Sequence, residues 1–212
     1  MKVYHREEMK ADYYDHAYAT NKKKYPLEIS GYQSQYIDLY QKAKALLTRT
    51  ERIVELGCGT GQLAEILLFE GYNYIRGVDF SKVGIDISTK RCNLIDFNKA
   101  GLRLGRKATN AICNGMFQVA DLYKYEIKDE YNTIISLEVL EHIEKDILVI
   151  NKINQNKRVI FSLPMFANEA HVRFFVSEQT VIDRYAKYFN NLSIEKIGKI
   201  FLCEGVRNGN KG

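Results

Sequence analysis

An acid, three alternating glycines and a second acid are the residues of this sequence best placed to do chemistry together. Glu55 ends a short apolar run, and Gly57, Gly59 and Gly61 follow before a helix-forming stretch. Glycines in such a turn let a ligand lie against bare backbone, and the helix after it offers free N–H groups. Asp79 lies about 20 residues beyond the glycines, where an acid can accept both hydroxyls of a ribose. The set predicts a nucleoside-binding turn.

The spacing of the glycines separates two kinds of ligand. Dinucleotide-binding turns use G-x-G-x-x-G and place a pyrophosphate at the helix start. This sequence has G-x-G-x-G, and the anion at Glu55 would repel a pyrophosphate while suiting a cationic amino group. The pattern therefore favours a ligand that carries an amino group over a dinucleotide.

A second group of reactive side chains follows a later apolar run. Glu138, Glu141 and His142 spell E-x-x-E-H, and on one helical turn these positions share a face. Two carboxylates and an imidazole on one face can hold a divalent cation, with His171 as the candidate for a fourth ligand. Without a metal, either histidine can take a proton from an attacking hydroxyl.

The acid–glycine–acid series resembles the class I S-adenosylmethionine-dependent methyltransferases, and the resemblance covers most of the chain. It implies S-adenosylmethionine as the cofactor, with Asp79 on the ribose and Asp121, in FQVADLY, on the adenine amino group. It also implies direct in-line methyl transfer, in which the enzyme mainly aligns the reacting atoms. The cofactor-binding residues that the resemblance implies are Glu55, Gly57, Cys58, Gly59, Gly61, Asp79, Phe80, Ser81, Asp121, Leu122 and Leu137.

The E-x-x-E-H stretch is also similar to that of the small-RNA 3′-end 2′-O-methyltransferases, which complete a metal site with a distant histidine. Some ubiquinone-pathway O-methyltransferases share it, and so do small-molecule methyltransferases that hold no metal. The segment between His142 and His171 is shorter than in the RNA enzymes. We therefore expect no tightly bound metal, and the catalytic candidates are His142, His171 and Glu138.

The elements that position these residues predict an α/β fold. It is a doubly wound Rossmann-like seven-stranded sheet with an antiparallel last strand and helices on both faces. Apolar runs that end at or near Asp79, Asp121 and Glu138 bring these acids to the carboxyl edge of the sheet, where such folds bind ligands. Arg158 to Pro164 is nearly all apolar, as an interior parallel strand should be, and a terminal hairpin is expected to turn at Gly198-Lys199.

Two regions are expected, an N-terminal helical cover over residues 1–50 and an S-adenosylmethionine-binding methyltransferase domain over residues 51–212. Tyrosines of the first region, such as Tyr14 and Tyr18, are expected to close over the acceptor pocket. His142, Pro164, Phe166 and His171 are expected to line that pocket. An aromatic, partly apolar pocket suits a small organic acceptor.

A basic segment, residues 98–115, leaves another acceptor open. It carries Lys99, Arg103, Arg106 and Lys107 and no acid. Such a run is usually a solvated helix surface, but it can also contact RNA, in which case binding weakens steeply with salt. The alternatives to small-molecule transfer are a divalent-metal-assisted RNA 2′-O-methyltransferase and a non-catalytic cofactor-binding partner subunit. The sequence leaves the oligomeric state open.

Composition agrees with an ordinary enzyme domain. The chain has 212 residues, 46% hydrophobic, with a net charge of +5. Its four cysteines form no C-x-x-C pair, so we expect free thiols in a reducing compartment and a cytoplasmic protein. The charged N-terminus predicts no secretory signal, and the absence of a long apolar run predicts no membrane span or membrane partner.

Overall fold

The structure is a computed structural model that describes residues 2–3, 7–21, 34–95 and 113–209, with the backbone alone at residues 2 and 3. The chain forms two compact units, one of Lys10–Leu122 and one of Met1–Met9 with Tyr123–Gly212. In chain order the elements are β1 (Lys2–Val3), α1 (Ala11–Thr20), α2 (Ile37–Ala45), β2 (Ile53–Leu56), α3 (Gln62–Phe69), β3 (Ile75–Asp79), α4 (Lys82–Asn93), β4 (Phe117–Val119), β5 (Thr133–Ser136), α5 (Asp146–Asn151), β6 (Arg158–Pro164), β7 (Arg173–Phe174), α6 (Glu178–Tyr185), β8 (Phe189–Ile197) and β9 (Ile200–Arg207).

Seven strands form one mixed sheet in the order β4-β3-β2-β5-β6-β9-β8, and β1 pairs with β7 in a separate antiparallel ribbon. Strands β2, β3 and β4 are parallel, with Leu56 opposite Val78 and Asp79 opposite Val119. Strands β5 and β6 are also parallel, whereas β9 is antiparallel to both β6 and β8. The predicted seven-stranded sheet with an antiparallel last strand is confirmed.

Uninterrupted burial identifies the interior strands. Every residue of Ile53–Leu56 and of Thr133–Ser136 is buried, and β6 is buried from Val159 to Pro164. Strands covered on both faces are rich in apolar residues, as these are. The residues that the sequence marks as reactive lie at the carboxyl ends of β2, β3 and β5 or just after them.

Side-chain caps begin two of the helices. Ser81 Oγ accepts a hydrogen bond from the Gly84 N–H at 2.9 Å and caps α4. Ser177 and Thr180 form a capping box at α6. The longest described helix, α4, has 12 residues. None of the described helices is long and apolar enough to cross a membrane.

The predicted helical turn at Glu138–His142 is wrong. The segment is an irregular turn between β5 and α5, and Glu138 has a φ of +57°. A left-handed residue cannot continue a right-handed helix, so the E-x-x-E-H residues do not share a helix face. Most of the basic segment, residues 98–112, lies outside the described residues, as do its four cations.

The cysteine prediction is wrong for two of the four residues. Cys92, in the last turn of α4, and Cys113, just before β4, form a disulfide with their Cα atoms 5.6 Å apart. That separation lies within the usual range for disulfides, and tertiary folding creates it between residues far apart in sequence. Cys58 and Cys203 are free and buried, as expected.

Candidate active site

The backbone conformation of its glycines defines the shape of the turn after β2. Gly57, Gly59 and Gly61 have φ values of 75°, 51° and 75°, a region that favours glycine. A Cβ at Gly61 would lie 2.7 Å from the Cβ of Ser88 on α4. The turn therefore needs glycine both for its conformation and for the close packing of α4 against it.

Glu55 is the buried acid beside this turn. Its side chain is 5% exposed, and its Oε2 has no hydrogen-bond partner among the described residues. Burial, with a smaller contribution from the Asp79 carboxylate, raises the pKa of Glu55 to about 8. A buried carboxylate oxygen without a partner is stabilised by a cationic donor. The oxygen thus fits an ammonium group such as that of S-adenosylmethionine.

Asp79 ends β3 on the other side of the turn. Its Oδ2 accepts from the Gly59 N–H at 2.9 Å, and its Oδ1 accepts from the Ser81 N–H at 2.8 Å. Burial raises the pKa of Asp79 to about 6, and these two N–H groups oppose the shift. Each carboxylate oxygen keeps lone-pair capacity, so the group can also accept ribose hydroxyls.

The helix α1 lies beside the same turn. The hydroxyl of Tyr18 lies 3.1 Å from the position that a Cβ at Gly59 would take. Asp15 Oδ1 accepts from the Ser81 hydroxyl at 2.5 Å and from the Val83 N–H at 3.0 Å, and so fastens α1 to the start of α4. The rings of Tyr14 and Phe80 are 5.2 Å apart. Nothing in the sequence pattern singles out Asp15.

The remaining cofactor candidates of this unit have less specific surroundings. Asp121 and Leu122 are half-buried and follow β4, which ends at Val119. The thiol of Cys58 is buried, and burial raises its pKa well above the ordinary range. The remaining candidate, Leu137, follows β5 in the other unit and is also buried.

Arg91 is a further contributor to the turn. Its Nε donates to the carbonyl of Thr60 at 3.0 Å, and its guanidinium pairs with Glu65 at 3.0 Å. The side chain is 2% exposed, so these bonds tie α4 to the turn and to α3. A buried arginine is rare enough to suggest a role, but its position in the sequence resembles that of an ordinary helix-end cation.

In the unit of Tyr123–Gly212, three of the predicted side chains converge. Glu141, His142 and His171 each offer one ligand atom, and these atoms lie within 4.8 Å of one another. Glu141 is fully buried, and neither of its carboxylate oxygens has a hydrogen-bond partner among the described residues. Burial, and then the Glu138 carboxylate, raises the pKa of Glu141 well above its ordinary value.

Backbone carbonyls fix the tautomers of the two histidines. His142 Nδ1 lies 2.9 Å from the carbonyl oxygen of Ala170, and His171 Nδ1 lies 3.2 Å from that of Phe166. A carbonyl only accepts, so each Nδ1 carries the proton and each Nε2 of the neutral ring is the basic atom. His142 Nε2 is 3.8 Å from Glu141 Oε1. The geometry suits a general base, and it equally suits metal ligation, in which Nδ1 commonly donates to a carbonyl.

The two histidine rings contact each other, and the Phe166 ring lies against one of them. The His142 and His171 rings meet edge to face with centroids 4.8 Å apart, and the Phe166 ring lies 5.6 Å from that of His171. Phe166 is one of the exposed large hydrophobic side chains, whereas Pro164 is buried. The structure brings together three of the four predicted pocket residues.

Arg173 supports the turn that carries Glu141 and His142. Its guanidinium donates to the carbonyl of Ile143 at 2.6 Å and to that of Glu144 at 2.6 Å, and it also bonds the carbonyl of Leu140. It is 4% exposed. No sequence pattern marks this role, because the bonded carbonyls lie about 30 residues away along the chain.

A glycine turn with a buried acid before it, a second acid at the end of the next strand and a sheet with an antiparallel last strand define the class I S-adenosylmethionine-dependent methyltransferases. The sequence matches a methyltransferase domain family over residues 29–191, and the chain belongs to that family. It is an S-adenosylmethionine-dependent methyltransferase, and its cofactor is S-adenosylmethionine.

Solved structures share the fold at low sequence identity. The magnesium protoporphyrin IX methyltransferase of Synechocystis PCC 6803 with bound S-adenosylmethionine has 18% identity and a TM-score of 0.62, over 96% of this chain and 100% of that one. A Thermotoga maritima methyltransferase, described as a possible histamine N-methyltransferase, has 15% identity and a TM-score of 0.65, over 94% and 100%. The methyltransferase domain of a bacterial Hen1 has 18% identity and a TM-score of 0.55, over 79% and 97%. No curated protein matches the sequence.

Proposed function

We propose that this methyltransferase acts on a small organic acceptor by direct in-line displacement. The observation that carries the proposal is the aromatic character of the residues after β5 and β6. The ring of His171 contacts those of His142 and Phe166, and Phe166 is exposed. Aromatic walls with a few polar atoms are typical of small-molecule sites, whereas phosphate-bearing polymers need cations.

Two of the structural relatives support the same acceptor class. The proteins that align over their full length with this chain include one named for magnesium protoporphyrin IX and one described for histamine. Both acceptors are small, and both carry polarisable rings. At such low identity the likeness is one of fold, so it adds to the argument from the aromatic rings without replacing it.

The residues divide the work of the reaction. S-adenosylmethionine, when bound, supplies a methyl group already activated by its sulfonium. Glu55 would receive the ammonium group and Asp79 the ribose hydroxyls, while Asp121 would accept from the adenine amino group. His142 Nε2 would take the proton that the acceptor loses, since its Nδ1 is already protonated and bonded to Ala170.

A transfer screen tests this proposal. The purified chain is incubated with methyl-labelled S-adenosylmethionine and cell extract separated into small-molecule, RNA and protein fractions. We expect label in the small-molecule fraction, and no transfer by Asp79→Ala, which removes the ribose ligand. Label confined to RNA or protein would overturn the acceptor class, and the lack of any transfer would overturn the proposed reaction.

A second candidate function is favoured by one observation. The fully buried Glu141 carboxylate has no hydrogen-bond donor among the described residues, and its Oε1 lies 3.8 Å from His142 Nε2. Glu141, His142 and His171, with Glu138 nearby in sequence, would hold a divalent cation, which would supply Lewis acidity to an acceptor hydroxyl. This donor set fits the metal-assisted RNA 2′-O-methyltransferase that the sequence leaves open.

Metal removal separates the two candidates. Under the first proposal, dialysis against a chelator leaves methyl transfer intact. If transfer is lost and magnesium, manganese or cobalt restores it, the second candidate replaces the first. Cobalt absorbance provides a direct reading of binding, with Glu141→Gln as the variant that should abolish it. Glu144→Gln, an exposed acid three residues further on, is the matched control.

A further inference from the structure

The left-handed backbone of Glu138 has no local explanation. The described non-glycine residues with positive φ are Glu138, Asn156 and Asn191. Asparagine adopts this conformation readily, but glutamate does so at an energetic cost. Strained residues persist only where their surroundings hold them, and they cluster at functional sites. Something outside the turn must therefore hold Glu138.

The side chain of Ser162 provides that support. Its hydroxyl oxygen accepts from the Glu138 N–H at 2.7 Å, and its proton goes to Glu138 Oε1 at 2.9 Å. One hydroxyl thus bonds both the backbone and the carboxylate of the same residue, which uses its single proton and one of its lone pairs. Ser162 is completely buried, so water does not compete for these bonds.

The strand register explains why this serine reaches Glu138. The parallel ladder between β5 and β6 ends at the pair Ser136–Phe161, and Ser162 is the next residue of β6. Beyond Ser136 the chain of β5 leaves the sheet, and the Glu138 N–H takes a side-chain oxygen as its acceptor. The two hydrogen bonds fix both the backbone turn and the orientation of the carboxylate.

We propose that Ser162 is a positioning residue for methyl transfer, which holds Glu138 in its left-handed conformation and aims its carboxylate at the acceptor. The inference rests on the proposed methyl transfer, for which the sequence makes Glu138 one of the catalytic candidates. Ser162 itself would touch neither cofactor nor acceptor. Loss of the Ser162 hydroxyl should leave the binding of cofactor and acceptor unchanged and should slow methyl transfer.

Three substitutions separate the hydrogen bonds from simple packing. Ser162→Ala removes the hydroxyl, Ser162→Cys keeps a similar volume with a weak donor, and Ser162→Thr keeps a hydroxyl. The matched control is Ser136→Ala on the neighbouring strand. That hydroxyl is also buried, but it has no hydrogen-bond partner among the described residues.

The assay follows the initial rate of labelled-methyl incorporation from S-adenosylmethionine while the amount of the small-molecule extract fraction is varied. We expect the maximal rate of Ser162→Ala and Ser162→Cys to fall by about 10- to 100-fold, the usual effect of a misplaced catalytic group. The amount of extract at half-saturation and the affinity for S-adenosylhomocysteine should stay within about twofold, and Ser162→Thr should recover most of the rate.

The outcomes distinguish this inference from the function on which it rests. If the unsubstituted protein transfers no methyl group, the proposed function fails and the positioning role fails with it. If it does transfer methyl groups and Ser162→Ala keeps its maximal rate, only the positioning role is overturned. The role is also overturned if Ser162→Cys is as fast as the unsubstituted protein, because packing would then be the whole effect, or if Ser136→Ala is slowed equally.

Discussion

The turn between Leu56 and Gln62 and the cluster around Glu141 show two ways of building a site. In the turn, backbone conformation and backbone N–H groups define the shape, and the acids Glu55 and Asp79 stand at its edges. In the cluster, side chains from separate segments meet, and the backbone only orients their rings. The two regions belong to different compact units of the chain.

This difference predicts how each region responds to substitution. The glycine turn should be destabilised when a side-chain atom is added to it, because the surrounding residues already pack against its backbone. A cluster of side chains should tolerate small changes in shape but respond to changes in charge, because its polar atoms are buried and only partly paired. Stability and affinity measurements on matched variants test this difference between the two regions.

The largest expected effect is that of Gly61→Ala. The residue has a φ of 75°, and the new Cβ would lie 2.7 Å from that of Ser88. We expect a loss of about 2–4 kcal/mol in the free energy of unfolding, the sum of left-handed strain and overpacking. Denaturant unfolding measures it, and calorimetry should show that binding of S-adenosylhomocysteine is lost.

Gly198→Ala is the control for backbone strain alone. It has a φ of 58° in the β8–β9 turn, and a Cβ there would meet nothing within 4 Å. We expect about 1 kcal/mol of destabilisation and unchanged cofactor affinity. Equal losses in the two variants would show that contact with α4 does not matter to the turn.

The same contrast explains how far the sequence could predict the structure. Gly57, Gly59 and Gly61 stand at alternate positions directly after a strand, and Asp79 follows at a spacing typical of nucleoside sites, so both the ligand class and the fold were predictable. Ser162 and Arg173 act on residues about 24 to 33 positions away, through contacts that only the folded chain creates. No local pattern marks such residues, because neither serine nor arginine is unusual where it stands.

The cysteines illustrate the same limit. Counting cysteines and their spacing predicted free thiols, because no close pair exists. The pairing of Cys92 with Cys113 depends on how α4 ends and β4 begins, which is a property of the fold. Likewise, the predicted helical turn at Glu138 failed because the tertiary hydrogen bond that the Glu138 N–H donates to Ser162 outweighs the local preference of glutamate for helix.

The next largest effect should come from the disulfide, which braces the unit that contains the glycine turn. Cys92 and Cys113 are separated by 21 residues, and closing a loop of that size stabilises a protein by about 3 kcal/mol. We expect reduction to lower the free energy of unfolding by that amount, while a Cys92→Ala/Cys113→Ala variant is insensitive to reductant.

A thiol count checks the premise of that experiment. Denatured but unreduced protein should expose the thiols of Cys58 and Cys203 only, and reduction should add those of Cys92 and Cys113. All four thiols reacting before reduction would contradict the disulfide. Unchanged stability on reduction would show that the disulfide does not stabilise the unit that contains it.

Glu55→Gln should weaken binding of S-adenosylhomocysteine by about 1.5–3 kcal/mol, the usual contribution of a hydrogen bond to a charged group. The pKa of Glu55 is raised to about 8, and an ammonium ligand favours the ionised carboxylate. Binding therefore releases a proton, and affinity should rise with pH up to about 8. The raised pKa of Asp79, about 6, adds a similar effect only at lower pH.

Calorimetry between pH 6.5 and 8.5 isolates the contribution of Glu55. The unsubstituted protein should gain affinity across this window, and Glu55→Gln should show a nearly flat profile. Asp15→Asn, at the contact between α1 and α4, is a control acid whose substitution should leave the pH dependence in place. A flat profile for the unsubstituted protein would remove Glu55 from the ammonium site.

The smallest effect is expected for Glu141→Gln, the counterpart of Glu55→Gln in the side-chain cluster. Burial, with the Glu138 carboxylate, raises the pKa of Glu141, so the folded protein keeps a proton that the unfolded chain releases. The stability that this provides is complete below the ordinary glutamate pKa and is lost as pH rises towards the folded value.

The Glu141→Gln variant does not lose stability in this way, because glutamine does not titrate. In metal-free buffer it should match the unsubstituted protein near pH 4 and exceed it by roughly 1–2 kcal/mol near pH 8, the scale of an unsatisfied buried polar group. Denaturant unfolding at both values measures the difference, and Glu144→Gln should show none. Affinity for S-adenosylhomocysteine should not change, because Glu141 is not among the candidate cofactor-binding residues. A variant less stable than the unsubstituted protein at pH 8 would show that the surrounding protein stabilises the ionised Glu141 carboxylate, which would contradict the raised pKa of this group.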